Sequence, residues 1–131
     1  MKKAAVAFVL ATASVLAMAQ NTPAGLWKTI DDDGKTEKST VRIAINGGVL
    51  TGKVEHITDP AKADEKCVKC EDDRKDKPIV GLDIIRGDKI LDPENGREYR
   101  LRLTPIEGGG KLQVRGYLGP FYRTQVWVRA Q

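Results

Sequence analysis

Hydrophobic and polar residues alternate along most of the chain after residue 38. The stretch STVRIAI places Val41 and Ile43 on one face, and VLTGKVEHI places Val54 and His56 on one face. A period of two residues is typical of a β-strand with one side buried. The pattern therefore predicts two strands whose side chains at these four positions point towards a common core.

Glycine-rich turns separate the alternating stretches. Asn46-Gly47-Gly48 joins the two strands above, because these residues adopt the positive φ angles of a tight hairpin at little cost. Further along, REYRLRL places Tyr99 and Leu101 inward, and KLQVRGY contributes Val114. We count seven or eight short strands and predict no helix after residue 19. This organisation is typical of an all-β antiparallel meander closed into a barrel, or of a β-sandwich.

The outward positions of the predicted strands are mostly Arg, Lys, Glu and Gln. A barrel of the outer membrane would instead present an apolar outer face, on strands of about 9–11 residues. We therefore expect a small soluble barrel of about eight strands that does not span a membrane.

Residues 1–19 have the features of a cleaved export signal. Lys2 and Lys3 form a basic start, an apolar run follows, and Ala17-Met18-Ala19 fits the small-residue pattern that signal peptidase recognises. The apolar run is shorter than the roughly 20 residues that a transmembrane helix needs. We expect residues 20–131 to form a single domain that is periplasmic or secreted.

The charge of the chain argues against a nucleic-acid partner. The formal charge is +4, and removal of Lys2 and Lys3 lowers it to +2. The sequence also lacks a stripe of alternating basic and aromatic residues. It contains one His, no serine nucleophile elbow and no phosphate-binding glycine loop. We therefore expect no cofactor, no metal and no catalytic residue.

Residues 59–78, DPAKADEKCVKCEDDRKDKP, interrupt the strand pattern. The segment is dense in charges of both signs and nearly empty of large apolar groups. Such a composition cannot bury enough apolar surface to contribute to a core. It predicts an exposed charged loop.

The two cysteines, Cys67 and Cys70, both lie in this segment. In an oxidising compartment they favour a structural disulfide, worth ~2 kcal/mol or less because the ring is small. A redox-active pair is an alternative, although the acidic residues after Cys70 would raise a thiol pKa. A zinc site is a third interpretation, in which His56 and scattered carboxylates would have to complete about four ligands.

Several short motifs follow one another along the chain. They are Gly25-x-Trp27, C-x-x-C, KPIVGL, ILDPENGREY, LQVRGYLG and RTQVWVR. In this order, over about residues 24–129, they resemble the bacterial envelope family catalogued as domain of unknown function 2147. The resemblance implies a lipocalin-like barrel and no established catalytic residue.

The resemblance also implies a plug at one end of the barrel. In this plug Trp27 of the Gly25-x-Trp27 motif would pack against Arg129 or Arg123, with the guanidinium stacked on the indole. The alternative is that Trp27 is an ordinary aromatic residue of the core.

A barrel of eight strands is just wide enough to be filled by side chains or to hold one small ligand. The first hypothesis is therefore a module that binds a small hydrophobic ligand. Its candidate lining residues are Val41, Ile43, Val54, His56, Tyr99, Leu101 and Val114, with His56 placed to anchor a polar headgroup. A solid barrel acting as an envelope interaction or stress protein, with an unknown partner, is the first alternative. A thiol-redox protein that uses Cys67 and Cys70 is the second.

Overall fold

A computed structural model describes residues 21–131, and the predicted export signal lies outside these residues. The described chain forms a closed antiparallel barrel of eight strands. The strands are β1 (Gly25–Ile30), β2 (Glu37–Asn46), β3 (Val49–Ile57), β4 (Asp83–Arg86), β5 (Lys89–Asp92), β6 (Arg97–Ile106), β7 (Lys111–Leu118) and β8 (Phe121–Arg129). Each strand pairs with the next, and β1 pairs with β8 where Trp27 faces Arg129. The predicted all-β meander is confirmed, and the sandwich alternative is wrong.

The up-and-down order of the strands gives the barrel two different ends. The connections β1–β2, β3–β4, β5–β6 and β7–β8 lie at one end, which we call the open end. The other three turns, the start of β1 and the end of β8 lie at the opposite end, which we call the closed end. The long β3–β4 connection therefore belongs to the open end.

Glycines at the turns and inside the barrel permit this geometry. Gly47 and Gly48 have φ angles of 59° and 80° in the β2–β3 turn, as the sequence predicts. Gly52 lies on β3 opposite Ile85 of β4. A Cβ at Gly52 would lie 2.8 Å from Cδ1 of Ile85, so only glycine leaves room for this isoleucine.

The core combines inward-facing strand residues with one segment outside the strands. Its fully or nearly buried members are Trp27, Val41, Ile43, Val54, Cys67, Cys70, Leu82, Ile84, Ile85, Leu91, Leu112, Val114 and Trp127. Val41 and Ile43 on β2, and Leu112 and Val114 on β7, lie at alternate positions, as expected of a barrel whose interior is filled by side chains.

The prediction that residues 59–78 form an exposed charged loop is wrong in its central part. Cys67 and Cys70 are joined by a disulfide and are 0% and 1% exposed, although most neighbouring residues are exposed. Arg74 is 2% exposed. Local composition does not predict this burial. A disulfide and an ion-paired arginine, rather than large apolar side chains, allow the segment to pack on the barrel.

Short 3-10 turns occur at Pro60–Lys62 and Glu107–Gly109. In residues 21–131, no helix has the length and apolar character needed to cross a bilayer.

Candidate ligand-binding site

A cavity of about 310 Å³ enters the barrel from the open end. This volume is at the lower limit of the roughly 300–1,000 Å³ that is common for small-molecule sites. The apolar residues that line it come from several strands and from the end of the β3–β4 connection. They include Ile30, Val54, Ile57, Ile79, Ile84, Ile90, Leu91, Val114 and Trp127. The interior is therefore suited to an apolar group of limited size.

Three of the predicted lining residues contact this cavity and three apolar ones do not. Val54, Tyr99 and Val114 line it. Val41 and Ile43 are buried opposite Trp27 and Gly25 of β1, towards the closed end. Leu101 is half-buried and packs against the core opposite Gly116. The predicted inward face is thus divided between the cavity and the packed floor beneath it.

The prediction that His56 faces inward is wrong. Thr40 pairs with His56, but the next residue, Val41, pairs with Val54, so Glu55 is an extra residue in β3. Such a β-bulge reverses the alternation beyond it. Ile57 consequently lines the cavity, whereas His56 is exposed. His56 is not placed to anchor a ligand inside the barrel.

Two cations at the open end are each held between two carboxylates. Arg123 lies 3.2 Å from Asp32 and 3.1 Å from Asp92. Lys38 lies 2.7 Å from Glu94 and 3.9 Å from a second carboxylate, that of Asp31. We call these six residues the mouth. The hydrogen bond from Arg123 lowers the pKa of Asp32, and the bond to Glu94 raises the pKa of Lys38. Asp32 and Lys38 are thus charged at neutral pH.

A chain of hydrogen bonds connects the mouth to the cavity floor. The indole of Trp127 donates to Gln125 Oε1 at 2.9 Å, and Gln125 Nε2 donates to Asp32 at 2.7 Å. Gln125 and Trp127 both line the cavity, and Arg123 also lies within 3.5 Å of the Tyr99 hydroxyl. This polar chain is not among the features predicted from the sequence. The sequence does contain an indication of it, because Arg123, Gln125 and Trp127 are alternate residues of RTQVWVR and so lie on one face of the strand.

The closed end is filled by Trp27 and Arg129. Arg129 lies over the Trp27 ring at 4.2 Å from its centroid, and Trp27 is 0% exposed. The guanidinium also donates to the carbonyl oxygens of Thr22, Ala24 and Gly109, at 2.8, 3.0 and 2.6 Å. These bonds fasten the segment before β1 and the β6–β7 turn to the end of β8.

Of the other two residues predicted for the plug, Gly25 lies at the closed end and Arg123 lies at the open end. A Cβ at Gly25 would lie 2.5 Å from Nη1 of Arg129, so glycine is required for the guanidinium to approach. Arg123 belongs to the mouth at the opposite end of the barrel, as its bonds to Asp32 and Asp92 show. The structure therefore places Arg129, and not Arg123, at Trp27.

The disulfide segment packs against the outside of the barrel near the open end. Arg74 donates to Asp72, to Glu98 at the start of β6 and to the carbonyl oxygen of Asp83 at the start of β4. Gly96 has a φ of 75°, and a Cβ there would overlap the carbonyl oxygen of Lys69. These contacts fix the β3–β4 connection beside the cavity entrance.

A family model described as an uncharacterized protein conserved in bacteria, DUF2147, matches residues 25–129. The chain belongs to the DUF2147 family. The DUF2147 match begins at Gly25 and ends at Arg129, the residues that meet in the closed end. The resemblance noted from the sequence motifs is thereby confirmed.

A solved structure shares the architecture of this DUF2147 barrel. Protein HP1028 from the human pathogen Helicobacter pylori, which belongs to the lipocalin family, is similar to it with a TM-score of 0.68. The two chains are 17% identical over 85% of this chain and 84% of the other. At this identity the likeness establishes a lipocalin-like fold for the DUF2147 chain. No match was found among curated protein sequences.

Proposed function

We propose that this DUF2147 barrel is an exported, non-catalytic protein that binds one small hydrophobic ligand in its cavity. The observation that supports this most strongly is the difference between the two ends. Trp27 and Arg129 fill one end, whereas the other end gives access to a space of about 310 Å³ with apolar walls. A barrel packed solid throughout would have no such space.

The walls favour a linear or compact apolar group. Burial of each methylene of a ligand contributes ~0.8 kcal/mol, so even a short chain gains considerable free energy in the cavity. Trp127 forms part of the lining, and its indole nitrogen is already bonded to Gln125. The apolar face of the indole is therefore available for contact with the ligand.

The charges around the cavity favour a neutral or cationic headgroup. The acidic residues that line it are Asp31, Glu37, Asp59, Glu65, Asp92 and Glu94, and the basic ones are Lys38, Lys62 and Arg123. Lys38 and Arg123 are each shared by two carboxylates. An anionic headgroup would therefore meet repulsion from the excess of carboxylates.

Export is supported by the features of residues 1–19 and by the disulfide between Cys67 and Cys70. The absence of catalysis is proposed from the sequence, which has neither a serine nucleophile elbow nor a phosphate-binding glycine loop. The buried positions of Cys67 and Cys70 favour a structural role for the disulfide over thiol exchange.

The proposal is tested with a neutral fluorescent probe, N-phenyl-1-naphthylamine, whose emission rises on entering an apolar site. The wild-type protein should bind it saturably. Val114→Phe fills space at a lining position and should abolish this binding. Val126→Phe, at a 39% exposed position on β8, is the matched control and should bind like the wild type.

Thermal unfolding of both variants verifies that they are folded. Binding that is absent in the wild type, or equal in all three folded proteins, would contradict occupation of the cavity.

A further inference from the structure

The outer surface of β6, β7 and β8 has a concentration of positive charge. Arg100, Arg102 and Arg115 point away from the cavity on adjacent strands. In the described part of the chain, residues 21–131, none of the three makes an ion pair. Elsewhere on the barrel, arginines such as Arg42 and Arg86 are paired with carboxylates.

Two of these arginines lie directly opposite each other. Arg102 of β6 pairs in register with Arg115 of β7. Like charges at opposite positions of a sheet are destabilising. The two side chains border a shallow polar groove that also includes Thr104 and Gln113. An anionic group in this groove would remove the repulsion and accept hydrogen bonds from both guanidinium groups.

Aromatic residues lie beside the arginines. Tyr117 and Tyr122 are in contact, with ring centroids 5.7 Å apart. Arg100 stacks on Tyr117 at 5.1 Å and Arg115 stacks on Tyr122 at 4.5 Å. Arg115 is also the main cause that lowers the pKa of Tyr117. The surface thus combines cations with amphipathic aromatic rings, which favour the boundary between water and lipid.

The β7–β8 turn extends this surface to the cavity entrance. Phe121 is 76% exposed and Leu118 is 44% exposed, on either side of the two-residue turn Gly119–Pro120. Arg123 of the mouth follows Phe121 by two residues on the same strand. The apolar side chains at this tip are exposed to solvent, and they adjoin the opening through which a ligand would pass.

We propose that this surface docks the barrel onto an anionic phospholipid bilayer, with the β7–β8 tip inserted into the interface. The basic-aromatic surface comprises Arg100, Arg102, Arg115, Tyr117 and Tyr122, and the tip comprises Leu118 and Phe121. Charge complementarity identifies the partner, because the three unpaired cations match lipid phosphates while the tip matches the acyl boundary. Docking would bring the cavity entrance next to the bilayer.

Vesicle co-sedimentation of the mature protein tests this proposal without any cavity ligand, so its outcome is separate from that of the proposed function. The protein should bind vesicles of phosphatidylcholine mixed with phosphatidylglycerol and not vesicles of phosphatidylcholine alone. Added salt should weaken the binding, because exposed charges are screened.

Substitutions separate the electrostatic contribution of the three arginines from the apolar contribution of the tip. Replacing Arg100, Arg102 and Arg115 together by Gln should weaken vesicle binding by roughly a hundredfold, at roughly fivefold per cation near an anionic surface. Phe121→Ser should weaken it independently. The control with equal loss of charge replaces the exposed cations Lys28, Arg42 and Lys53, on the outer face of β1, β2 and β3, by Gln and should bind nearly as the wild type does. Arg102→Gln alone provides a milder variant if the triple substitution reduces folding.

Equal binding to both kinds of vesicle, or an equal loss of binding in the control on β1, β2 and β3, would overturn the proposal. So would wild-type protein that remains in the supernatant with anionic vesicles at low salt. A dimer in sedimentation experiments that Phe121→Ser dissociates would also overturn it, by assigning the surface to a second copy of the chain.

Discussion

At the scale of the residue, the packing of the closed end depends on the shape of the Arg129 side chain. Arg129 covers the Trp27 ring and donates to the carbonyl oxygens of Thr22, Ala24 and Gly109. A planar guanidinium can reach several acceptors at once while stacking on an aromatic face. A lysine in its place has the same charge but cannot reproduce this arrangement.

Arg129→Lys should therefore lower the free energy of unfolding by ~2 kcal/mol, because partly buried carbonyl groups lose their donors. Urea unfolding measures this change. Arg42→Lys is the matched control, since Arg42 is exposed on β2 and its side chain bonds only to Glu55 within residues 21–131. It should change the stability by less than about 0.5 kcal/mol. Similar losses in the two variants would contradict the plug.

The buried Arg74 makes the stability of the fold dependent on pH. It holds the pKa of Asp72 well below the ordinary 3.8. A lowered pKa in the folded state stabilises the protein above the unfolded pKa, and this stabilisation is lost as the pH falls. The free energy of unfolding should thus decrease below about pH 4.

Asp72→Asn should lower the stability at neutral pH and reduce its dependence on pH in acid. Denaturant unfolding at several pH values measures both effects. Asp76→Asn is the control, because Asp76 makes no ion pair within residues 21–131. If the free energy of unfolding of Asp72→Asn decreased in acid as much as that of the wild type, the ion pair with Arg74 would not be the cause of the pH dependence.

At the scale of the element, alternation predicted the strands but not the irregularities that position the site. The β2–β3 hairpin follows directly from its alternation and its glycines. The bulge that turns His56 outward depends on pairing with β2, and the sequence of β3 contains no mark of it. Likewise, the burial of Cys67 and Arg74 depends on strands far away in sequence, which a local measure of hydrophobicity cannot include.

Replacing Cys67 and Cys70 by Ser should loosen the segment that packs beside the cavity entrance. The expected loss of stability is ~2 kcal/mol, from the entropy of closing a very small ring. Trypsin should cut faster after Lys69, Arg74 and Lys75 while the barrel strands stay protected, as peptide mass mapping would detect. Val68→Ala changes an exposed residue inside the same ring and serves as the control. An unchanged cleavage pattern in the double variant would contradict a structural role for the disulfide.

At the scale of the whole molecule, charge is distributed unevenly between the cavity entrance and the outer surface. Carboxylates outnumber cations around the cavity, whereas Arg100, Arg102 and Arg115 on the outside make no ion pair within residues 21–131. The small net charge of the sequence conceals this separation. It explains why composition could not predict the headgroup of a ligand.

A straight-chain primary amine should therefore displace the neutral probe more effectively than the carboxylate of the same chain length. A difference of roughly tenfold in affinity is expected near pH 7, and the corresponding alcohol should lie between them. Replacing Asp92 by Asn and Glu94 by Gln should reduce the difference. Tighter binding of the carboxylate would show that Lys38 and Arg123 govern the mouth instead.

The most direct test of ligand binding is native mass spectrometry of the mature protein isolated from its own cell envelope without reductant. The predicted spectrum contains a folded, oxidised barrel with one small additional mass that is lost on denaturation. The additional mass should belong to an amphiphile of a size that fits about 310 Å³. A barrel that is bare in every preparation, and that also takes up no neutral amphiphile when one is added, would contradict the proposed function.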